Sequence, residues 1–282
     1  MLNMFRYKYS FADVTFLVES EKEIQQEEKY AVFYTESESI DFSVIIRLTD
    51  ALPEPTGELH SVSERRKTYS DGRHYMTYTY FFDMYEIKDM PYACRIDDST
   101  LYILNKYGLR ETAVFDALNL PELMLKKAVG IMHSSVVKYR NAAILFAGDK
   151  QVGKSTQAAL WEKTADAVTV NGDRGALKKS GSSIIVSGIP FCGTSGICHN
   201  EQLPVRAIIC LSKGRTNNIR QLNGSEAYLS LLGKFAYNSY SVEESERVYE
   251  LLSEIVETVP VYSYECLKDE SAVLFLKEYL NL

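Results

Sequence analysis

One nine-residue stretch constrains this chain more than any other. Its pattern is G-x-x-x-x-G-K-[S/T], which is typical of a loop that binds the phosphates of a nucleotide. The stretch consists of Gly148, Asp149, Lys150, Gln151, Val152, Gly153, Lys154, Ser155 and Thr156. Its glycines permit the close backbone approach that lets amide groups face phosphate oxygens. The pattern predicts a nucleotide-binding loop, in which Lys154 contacts the phosphates and Ser155 binds Mg²⁺.

The residues on both sides of this loop fit the same interpretation. Residues 142–147 are an apolar run of strand length, and residues 155–163 have the pattern of a helix. The loop would then lie between a strand and a helix N-terminus, where the helix dipole favours anions. The alternative is a chance match in a glycine-rich loop, and the flanking elements argue against it.

Composition and charge limit the partners of the chain. Its 282 residues suffice for one large or two modest domains, and 46% are hydrophobic. The net charge of −7 argues against a general nucleic-acid binder, although a local basic cleft remains compatible with it. No apolar run approaches the roughly 20 residues of a membrane helix, and no signal peptide is recognised. We therefore expect a cytoplasmic protein with neither nucleic-acid nor membrane partners, and the sequence leaves its oligomeric state open.

The five cysteines are odd in number and scattered, which predicts reduced thiols. Cys192, Cys198 and His199 lie close together, but their spacing matches no zinc site. We expect all three to be ordinary buried residues or loop residues.

Residues 1–118 are predicted to form a β-rich N-terminal domain. Strands are expected at residues 30–34, 42–48 and 76–85, with a hairpin at Asp71-Gly72. Residues 61–67 are polar and basic and predict an exposed loop. The dense tyrosines and phenylalanines favour a small β core, and a substrate-binding face is the alternative.

Residues 119–282 are predicted to form the second domain, which holds the loop. A helix is expected from Asn119, and His133 is expected near the start of a strand antiparallel to the strand before the loop. A strand at residues 167–170 leads to Asp173 and Arg174. An acid at that position can bind Mg²⁺ if its strand neighbours the loop strand. The alternative is an ordinary Asn-Gly-Asp turn.

The second domain resembles the kinase domain of the HPr kinase/phosphorylase family, whose fold is similar to that of phosphoenolpyruvate carboxykinase. The resemblance rests on Met132-His133-Ser134, residues 148–156, Asn171-Gly172-Asp173-Arg174, residues 187–191 and Pro260-Val261-Tyr262. It implies an α/β protein, α+β overall, in which a β-rich domain precedes a P-loop kinase domain with a mixed sheet. It is strongest towards small stand-alone members, such as the kinases that phosphorylate a serine of a lasso-peptide precursor.

The resemblance also implies an activity and roles for single residues. The family transfers a phosphoryl group from a nucleotide to a serine hydroxyl, so the implied cofactors are ATP, or another nucleoside triphosphate, and Mg²⁺. Lys154, Asp173, His133 and Arg174 become the catalytic candidates, and Ser155 and Asp173 the metal ligands. The family often has two adjacent acids at this point, whereas this chain has Gly172 before Asp173. That difference leaves the general base open.

Two functions from different classes are therefore considered. The first is a Mg²⁺-dependent kinase that acts on a hydroxyl of a peptide, a protein or a small molecule. The second is a nucleotide-binding regulatory or interaction module that no longer catalyses, which the missing second acid favours.

Overall fold

A computed structural model describes residues 4–63, 65–83 and 86–282. The chain divides into two compact units, Met1–Leu123 and Met124–Leu282. Both units contain a large mixed sheet together with helices, so the chain has a mixed α/β fold. Among the described helices, none is long and apolar enough to cross a membrane.

In the described part of the first unit, eight strands form one sheet. In chain order they are β1 (Phe5–Phe11), β2 (Val14–Ser20), β3 (Phe42–Thr49), β4 (Glu58–Val62), β5 (Arg66–Ser70), β6 (Tyr75–Asp83), β7 (Glu86–Arg95) and β8 (Thr100–Leu104). The spatial order is β1-β2-β3-β8-β7-β6-β5-β4, in which β3 runs parallel to both β2 and β8. Two helices follow, α1 (Glu111–Leu118) and α2 (Leu120–Leu125).

The aromatic residues of the first unit pack against one another. The rings of Phe11 and Phe16 are stacked 5.1 Å apart, and Phe11 also meets Phe33 edge to face. A buried carboxylate, Glu111, accepts hydrogen bonds from the hydroxyl of Tyr9 and from the backbone amide of Glu27. These contacts favour the core interpretation of the aromatic side chains.

Two predictions for the first unit were wrong. Residues 30–34 lie mostly in a 3₁₀ helix, Glu28–Phe33, because Tyr30 and Phe33 are buried three residues apart, the repeat of such a helix. Residues 61–67 belong largely to the β4–β5 hairpin, in which Val62 pairs with Lys67. The hairpin predicted at Asp71-Gly72 is confirmed by the pairing of β5 with β6. The strand predicted at 76–85 is β6, and residues 84 and 85 lie outside the described residues.

The second unit is built around another mixed sheet. Its strands are β9 (Gly130–Tyr139), β10 (Ala142–Ala147), β11 (Val168–Asn171), β12 (Arg174–Ser180), β13 (Ser183–Ser187), β14 (Gln202–Lys213), β15 (Asn218–Gln221), β16 (Phe235–Ala236) and β17 (Val261–Cys266). Its helices after α2 are α3 (Lys154–Ala165), α4 (Gly224–Leu232), α5 (Val242–Thr258) and α6 (Glu270–Tyr279). The strands β10, β14 and β17 are mutually parallel, and their neighbours are antiparallel.

Helices cover both faces of this sheet. Along β10, Ile144 and Phe146 lie in an apolar cluster with Trp161 of α3. The alternate residue Leu145 lies in a second cluster with Leu252 of α5. Because successive side chains of a strand point to opposite faces, the apolar run of β10 is buried on both sides. The strand that leads into the glycine-rich loop is therefore fixed by packing on both faces.

Candidate functional site

The glycine-rich loop connects β10 to α3, as its flanking residues predict. Gly148 has φ of +148° and Gly153 has φ of +123°, values that favour glycine. A Cβ on Gly148 would lie 2.8 Å from a methyl carbon of Val152 and 3.1 Å from the carbonyl oxygen of Leu211. The loop thus packs tightly and ends at the N-terminus of α3, where free amides attract anions.

Lys154 is held against the loop that precedes it. Its side chain is nearly buried, and its Nζ donates hydrogen bonds to the carbonyl oxygens of Gly148 (3.0 Å) and Asp149 (3.1 Å). Burial lowers the pKa of Lys154, Asp173 opposes this effect, and Lys234 adds to it. Its ammonium group therefore lies within the electrostatic reach of a carboxylate and a second cation.

The next two residues of the motif, Ser155 and Thr156, are exposed in the first turn of α3. A hydroxyl at this position is accessible to a ligand bound at the helix N-terminus. The structure therefore leaves Ser155 accessible for the metal-binding role that the motif predicts.

The long strand β9 joins the loop to the acid that the sequence singled out. It runs antiparallel to β10, with Ser134 opposite Ala147, the residue before the loop. One residue earlier, His133 pairs with Arg174 on the other neighbour, β12. The amide of Ser134 donates to the carbonyl oxygen of Asp173 at 3.0 Å. The register therefore places the start of the loop, His133 and Asp173 at one end of β9.

The strand before Asp173, β11, is not the direct neighbour of the strand before the loop, β10, and the expectation that it neighbours β10 requires a correction. β11 and β10 do not pair with each other among the described residues; β9 lies between them and pairs with both. In the chain, one helix, α3, lies between β10 and β11. In the sheet, β9 lies between them, and its mostly buried residues are typical of a central strand. Asp173 still arrives beside the site, through the turn from β11 to β12.

An asparagine fixes that turn. The Oδ1 atom of Asn171 accepts hydrogen bonds from the amides of Asp173 (3.0 Å) and Arg174 (2.9 Å). Its Nδ2 donates to the carbonyl oxygen of Ile189 at 2.9 Å, and the side chain is fully buried. The turn interpretation of Asn-Gly-Asp is thus correct, and the same turn presents Asp173 to the site.

The carboxylate of Asp173 lies between a histidine and an arginine. Its Oδ1 is 3.7 Å from Nε2 of His133, and its Oδ2 accepts from Nε of Arg174 at 3.3 Å. Burial and then the charge of Lys154 lower the pKa of His133 below its usual 6.5, although Asp173 opposes them. Because that pKa lies below neutral, the imidazole is mainly uncharged at pH 7.

The segment of residues 188–198 covers this turn. A Cβ on Gly172 would lie 2.1 Å from Oγ of Ser195, which in turn donates to the carbonyl oxygen of Cys192. A Cβ on Gly193, which has φ of +55°, would lie 2.7 Å from Cβ of Asp173. The guanidinium of Arg174 lies 4.9 Å from the ring centre of Phe191. The position before Asp173 therefore has no room for a second acid.

We expect Gly172→Asp, which restores the paired acids, to destabilise the fold. The new side chain would overlap Ser195, and such overpacking costs roughly 1–3 kcal/mol. Gly224→Asp is the matched control, since no described heavy atom outside its chain neighbours and the backbone of its own helix lies within 4 Å of a Cβ there. Urea unfolding of both variants measures the difference. Equal stability of the two would show that Gly172 is not a steric requirement.

Sequence analysis missed one cation of the site, Lys234. Its Nζ forms an ion pair with the carboxylate of Asp149 in the loop, and its carbonyl oxygen accepts from the amide of His133. The hydrogen bond from the Lys234 ammonium group to the carboxylate of Asp149, together with the positive charge of that group, lowers the pKa of Asp149. Lys234 directly precedes β16, a two-residue strand that pairs with β9. So short a strand has no periodic pattern, and the sequence therefore gives no signal for it.

The expectation of reduced thiols fails for one pair of cysteines. Cys192 and Cys198 form a disulfide, whereas Cys94, Cys210 and Cys266 are free thiols. The two bonded residues are six apart in sequence, and the 188–198 segment folds back and brings them together. No group of three or more histidine, cysteine, aspartate or glutamate residues suited to a metal occurs among the described residues.

Comparisons with known proteins add little to this geometry. No protein-family model and no curated protein matches the sequence. The HPr(Ser) kinase/phosphatase from Coxiella burnetii is similar in structure over 54% of this chain and 99% of its own chain, with a TM-score of 0.32 and 15% sequence identity. A likeness at this TM-score does not establish a shared fold.

Proposed function

We propose that this chain is a Mg²⁺-dependent kinase that transfers the γ-phosphoryl group of a nucleoside triphosphate, ATP in the first instance, to a hydroxyl group. The observation that carries the proposal is the register of β9. Through it, the start of the phosphate-binding loop lies opposite Ser134, next to His133 and the Asp173 turn. Phosphoryl transfer depends on positioning and charge neutralisation more than on covalent chemistry by the protein.

The cations and amides near the loop suit a polyphosphate. The N-terminus of α3 and Lys154 would hold the β- and γ-phosphates. Lys234, now paired with Asp149, would add a second cation, and Arg174 would stabilise charge that develops on the transferred group. In this proposal nucleotide phosphates replace loop oxygens as the partners of Lys154 and Lys234.

The donor set also suits Mg²⁺, which prefers oxygen ligands and few protein contacts. The accessible hydroxyl of Ser155 and the carboxylate of Asp173 would hold the ion. When bound, Mg²⁺ neutralises phosphate charge and orients the γ-phosphate. Two oxygen donors from the protein are enough, because a nucleotide and water supply the remainder.

Asp173 is the acid that governs catalysis in this proposal, by binding metal or by accepting the proton of the attacking hydroxyl. The lowered pKa of His133 leaves it able to donate a hydrogen bond to a phosphate oxygen without adding a full charge. We therefore assign His133 to phosphate contact. The acceptor is a hydroxyl of a peptide, a protein or a small molecule, with a peptide serine as the first choice.

We expect millimolar MgATP to raise the melting temperature of the protein. A ligand at about 100 times its Kd stabilises the folded state by about 2.7 kcal/mol, which corresponds to roughly 5–10 °C for a unit of this size. Differential scanning fluorimetry with ATP, GTP and AMP, each with and without Mg²⁺, measures the shift and the nucleotide preference. An unchanged melting temperature with every triphosphate would refute the proposed function.

A non-catalytic nucleotide-binding module is the second candidate. It is favoured by the tight contact between Gly172 and Ser195, which closes the position of a second acid. This candidate predicts MgATP binding without transfer of label from [γ-³²P]ATP to serine peptides or small alcohols. The genes beside this one provide a further criterion, because a precursor peptide with its processing enzymes favours the kinase.

A further inference from the structure

A disulfide ring, residues 192–198, lies beside the candidate functional site. It is closed by the bond between Cys192 and Cys198, which are six residues apart, and it contains a short 3₁₀ helix, Gly193–Ser195. Both cysteines are only 6% exposed, whereas Ser195 between them is exposed. The ring is therefore a surface feature whose bonded residues are covered by their surroundings. The function proposed above makes no use of its bond.

Two residues of the disulfide ring pack against the turn that presents Asp173. A Cβ on Gly193 would lie 2.7 Å from Cβ of Asp173 and 3.0 Å from its Oδ1 atom. On the other side, a Cβ on Gly172 would lie 2.1 Å from Oγ of Ser195. Because side chains packed this closely transmit a displacement to their neighbours, a movement of the ring changes the space around the carboxylate of Asp173.

Backbone hydrogen bonds tie one end of the ring to the same turn. The amide of Gly172 donates to the carbonyl oxygen of Ile197 at 3.2 Å. The amide of His199 donates to the carbonyl oxygen of Val170 at 2.8 Å. These two bonds lie on either side of Cys198, so this bonded cysteine is the residue at which the ring pairs with β11 and the turn after it.

The other end of the ring is held by weaker contacts. The hydroxyl of Ser195 donates to the carbonyl oxygen of Cys192 at 2.7 Å and accepts from the amide of Ile197 at 3.2 Å. Phe191, just before the ring, has its ring centre 4.9 Å from the guanidinium carbon of Arg174. Without the disulfide, these exposed hydrogen bonds and this single ring contact would be left to keep the segment closed, and such a segment opens readily.

From these contacts we propose that the Cys192–Cys198 bond is a reversible redox site, which a dithiol reduces, and that its oxidised form holds Asp173 in position for catalysis. The bond limits the open conformations of the segment, and reduction restores them. The effect on turnover rests on the proposed function, whereas the effect on the order of the turn does not.

The reduction is an ordinary thiol–disulfide exchange. A thiolate of the dithiol attacks one sulfur of the Cys192–Cys198 bond, which breaks, and a mixed disulfide forms. The second thiolate of the dithiol then attacks the mixed disulfide and releases the protein. Both cysteines end as thiols, having gained two electrons and two protons in total, and the dithiol ends as a disulfide. An oxidised dithiol reverses the reaction.

The oxidation state of the ring is measured first, in the folded protein. Wild-type protein is treated with dithiothreitol or with its oxidised form, alkylated after unfolding in urea and analysed by peptide mass spectrometry. We expect Cys192 and Cys198 to be alkylated only after dithiothreitol, and to be bonded again after reoxidation. Cys94, Cys210 and Cys266 are free thiols and should be alkylated in both samples. A bond that dithiothreitol leaves intact in the folded protein, or two cysteines that the oxidant does not join, would overturn the inference.

Hydrogen exchange followed by mass spectrometry then reports the order of the turn, without nucleotide. In the reduced protein, peptides that cover residues 170–175 and 192–199 should exchange roughly ten times faster or more, because the bond no longer limits opening of the ring. Peptides from β10 and α3 should exchange equally in both states. Cys192→Ser/Cys198→Ser should behave like the reduced wild type under both conditions. Equal exchange of residues 170–175 in oxidised and reduced protein would contradict the proposal.

The matched control is Cys210→Ser, which removes a free thiol of the same unit and leaves the bonded pair. Its residues 170–175 should respond to dithiothreitol as they do in the wild type. A variant that loses this response would assign the redox effect to Cys210 and not to the disulfide ring.

Transfer of label from [γ-³²P]ATP to a serine peptide tests the effect on turnover. Reduction should lower turnover roughly ten to a hundred times, since misplacing a reacting group by about 1 Å can have an effect of this size. The Kd of MgATP should stay within about threefold, because Lys154 and Lys234 contact the loop outside the disulfide ring. Equal turnover in both states would show that the bond does not position Asp173. Failure to bind MgATP, or to transfer label, in both states would refute the kinase, and the exchange data alone would then decide the redox site.

Discussion

Lys154→Ala is expected to weaken the binding of MgATP by at least about thirtyfold. Its ammonium group lies against the loop and donates hydrogen bonds to the carbonyl oxygens of Gly148 and Asp149. Loss of a largely desolvated charge contact costs about 2–5 kcal/mol, which is roughly a thirtyfold to several-thousandfold increase in Kd. Isothermal titration calorimetry with MgATP measures the change.

The loop itself offers the control for this prediction. Lys150 is the other lysine of the motif and is exposed. Its side chain has no assigned contact with phosphate in this proposal, so Lys150→Ala should change Kd by less than about threefold, as is usual for an exposed charge. Similar losses in both variants would mean that general positive charge, and not the position of Lys154, attracts the nucleotide. Normal binding by Lys154→Ala would exclude the loop as the nucleotide site.

The sequence predicted the surroundings of the loop well because they depend on local patterns. The apolar run of β10 and the helix α3 both follow from a few neighbouring residues. The antiparallel relation of β9 to β10 also follows, since a short turn joins them. These local elements alone are enough to place His133 of β9 beside β10, the strand that leads into the loop.

Non-local pairing was not predictable in the same way. The insertion of β9 between β10 and β11 depends on which buried strand occupies the centre, and several strands here are apolar. Lys234 reaches the loop only because the two-residue strand β16 adds to β9. A pairing of two residues carries no periodic signal, so the sequence cannot place its neighbours.

The lack of space beside Gly172 is another feature that could not be predicted from the sequence. From the sequence, the glycine before Asp173 is only a missing acid. In the structure, the side chain of Ser195 occupies the space where a side chain at position 172 would lie. The hydroxyl of Ser195 donates a hydrogen bond to the carbonyl oxygen of Cys192, which belongs to the same 188–198 segment. Side chains that come from distant parts of a chain decide such a steric role, and a single sequence does not reveal it.

Asp173→Asn is expected to separate nucleotide binding from turnover. The amide has nearly the shape of the carboxylate, and the backbone oxygen that accepts from Ser134 is unchanged. We expect the Kd of MgATP to stay within about tenfold, or 1.4 kcal/mol. Turnover should fall by roughly 10²–10⁴, the range for a lost acid–base group. His133→Ala should instead weaken both binding and turnover, because His133 is assigned to a phosphate.

A matched charge change controls for the loss of one negative charge in the Asp173→Asn protein. Asp166 ends α3 in a left-handed conformation that asparagine also adopts readily, and it is exposed. Asp166→Asn should therefore leave both parameters unchanged. In the free protein, Asp173 raises the pKa of His133, so NMR titration of Asp173→Asn should show that pKa lower than in the wild type. If the pKa falls while turnover stays near normal, Asp173 touches His133 but does not govern catalysis, and the acid must be sought elsewhere around the loop.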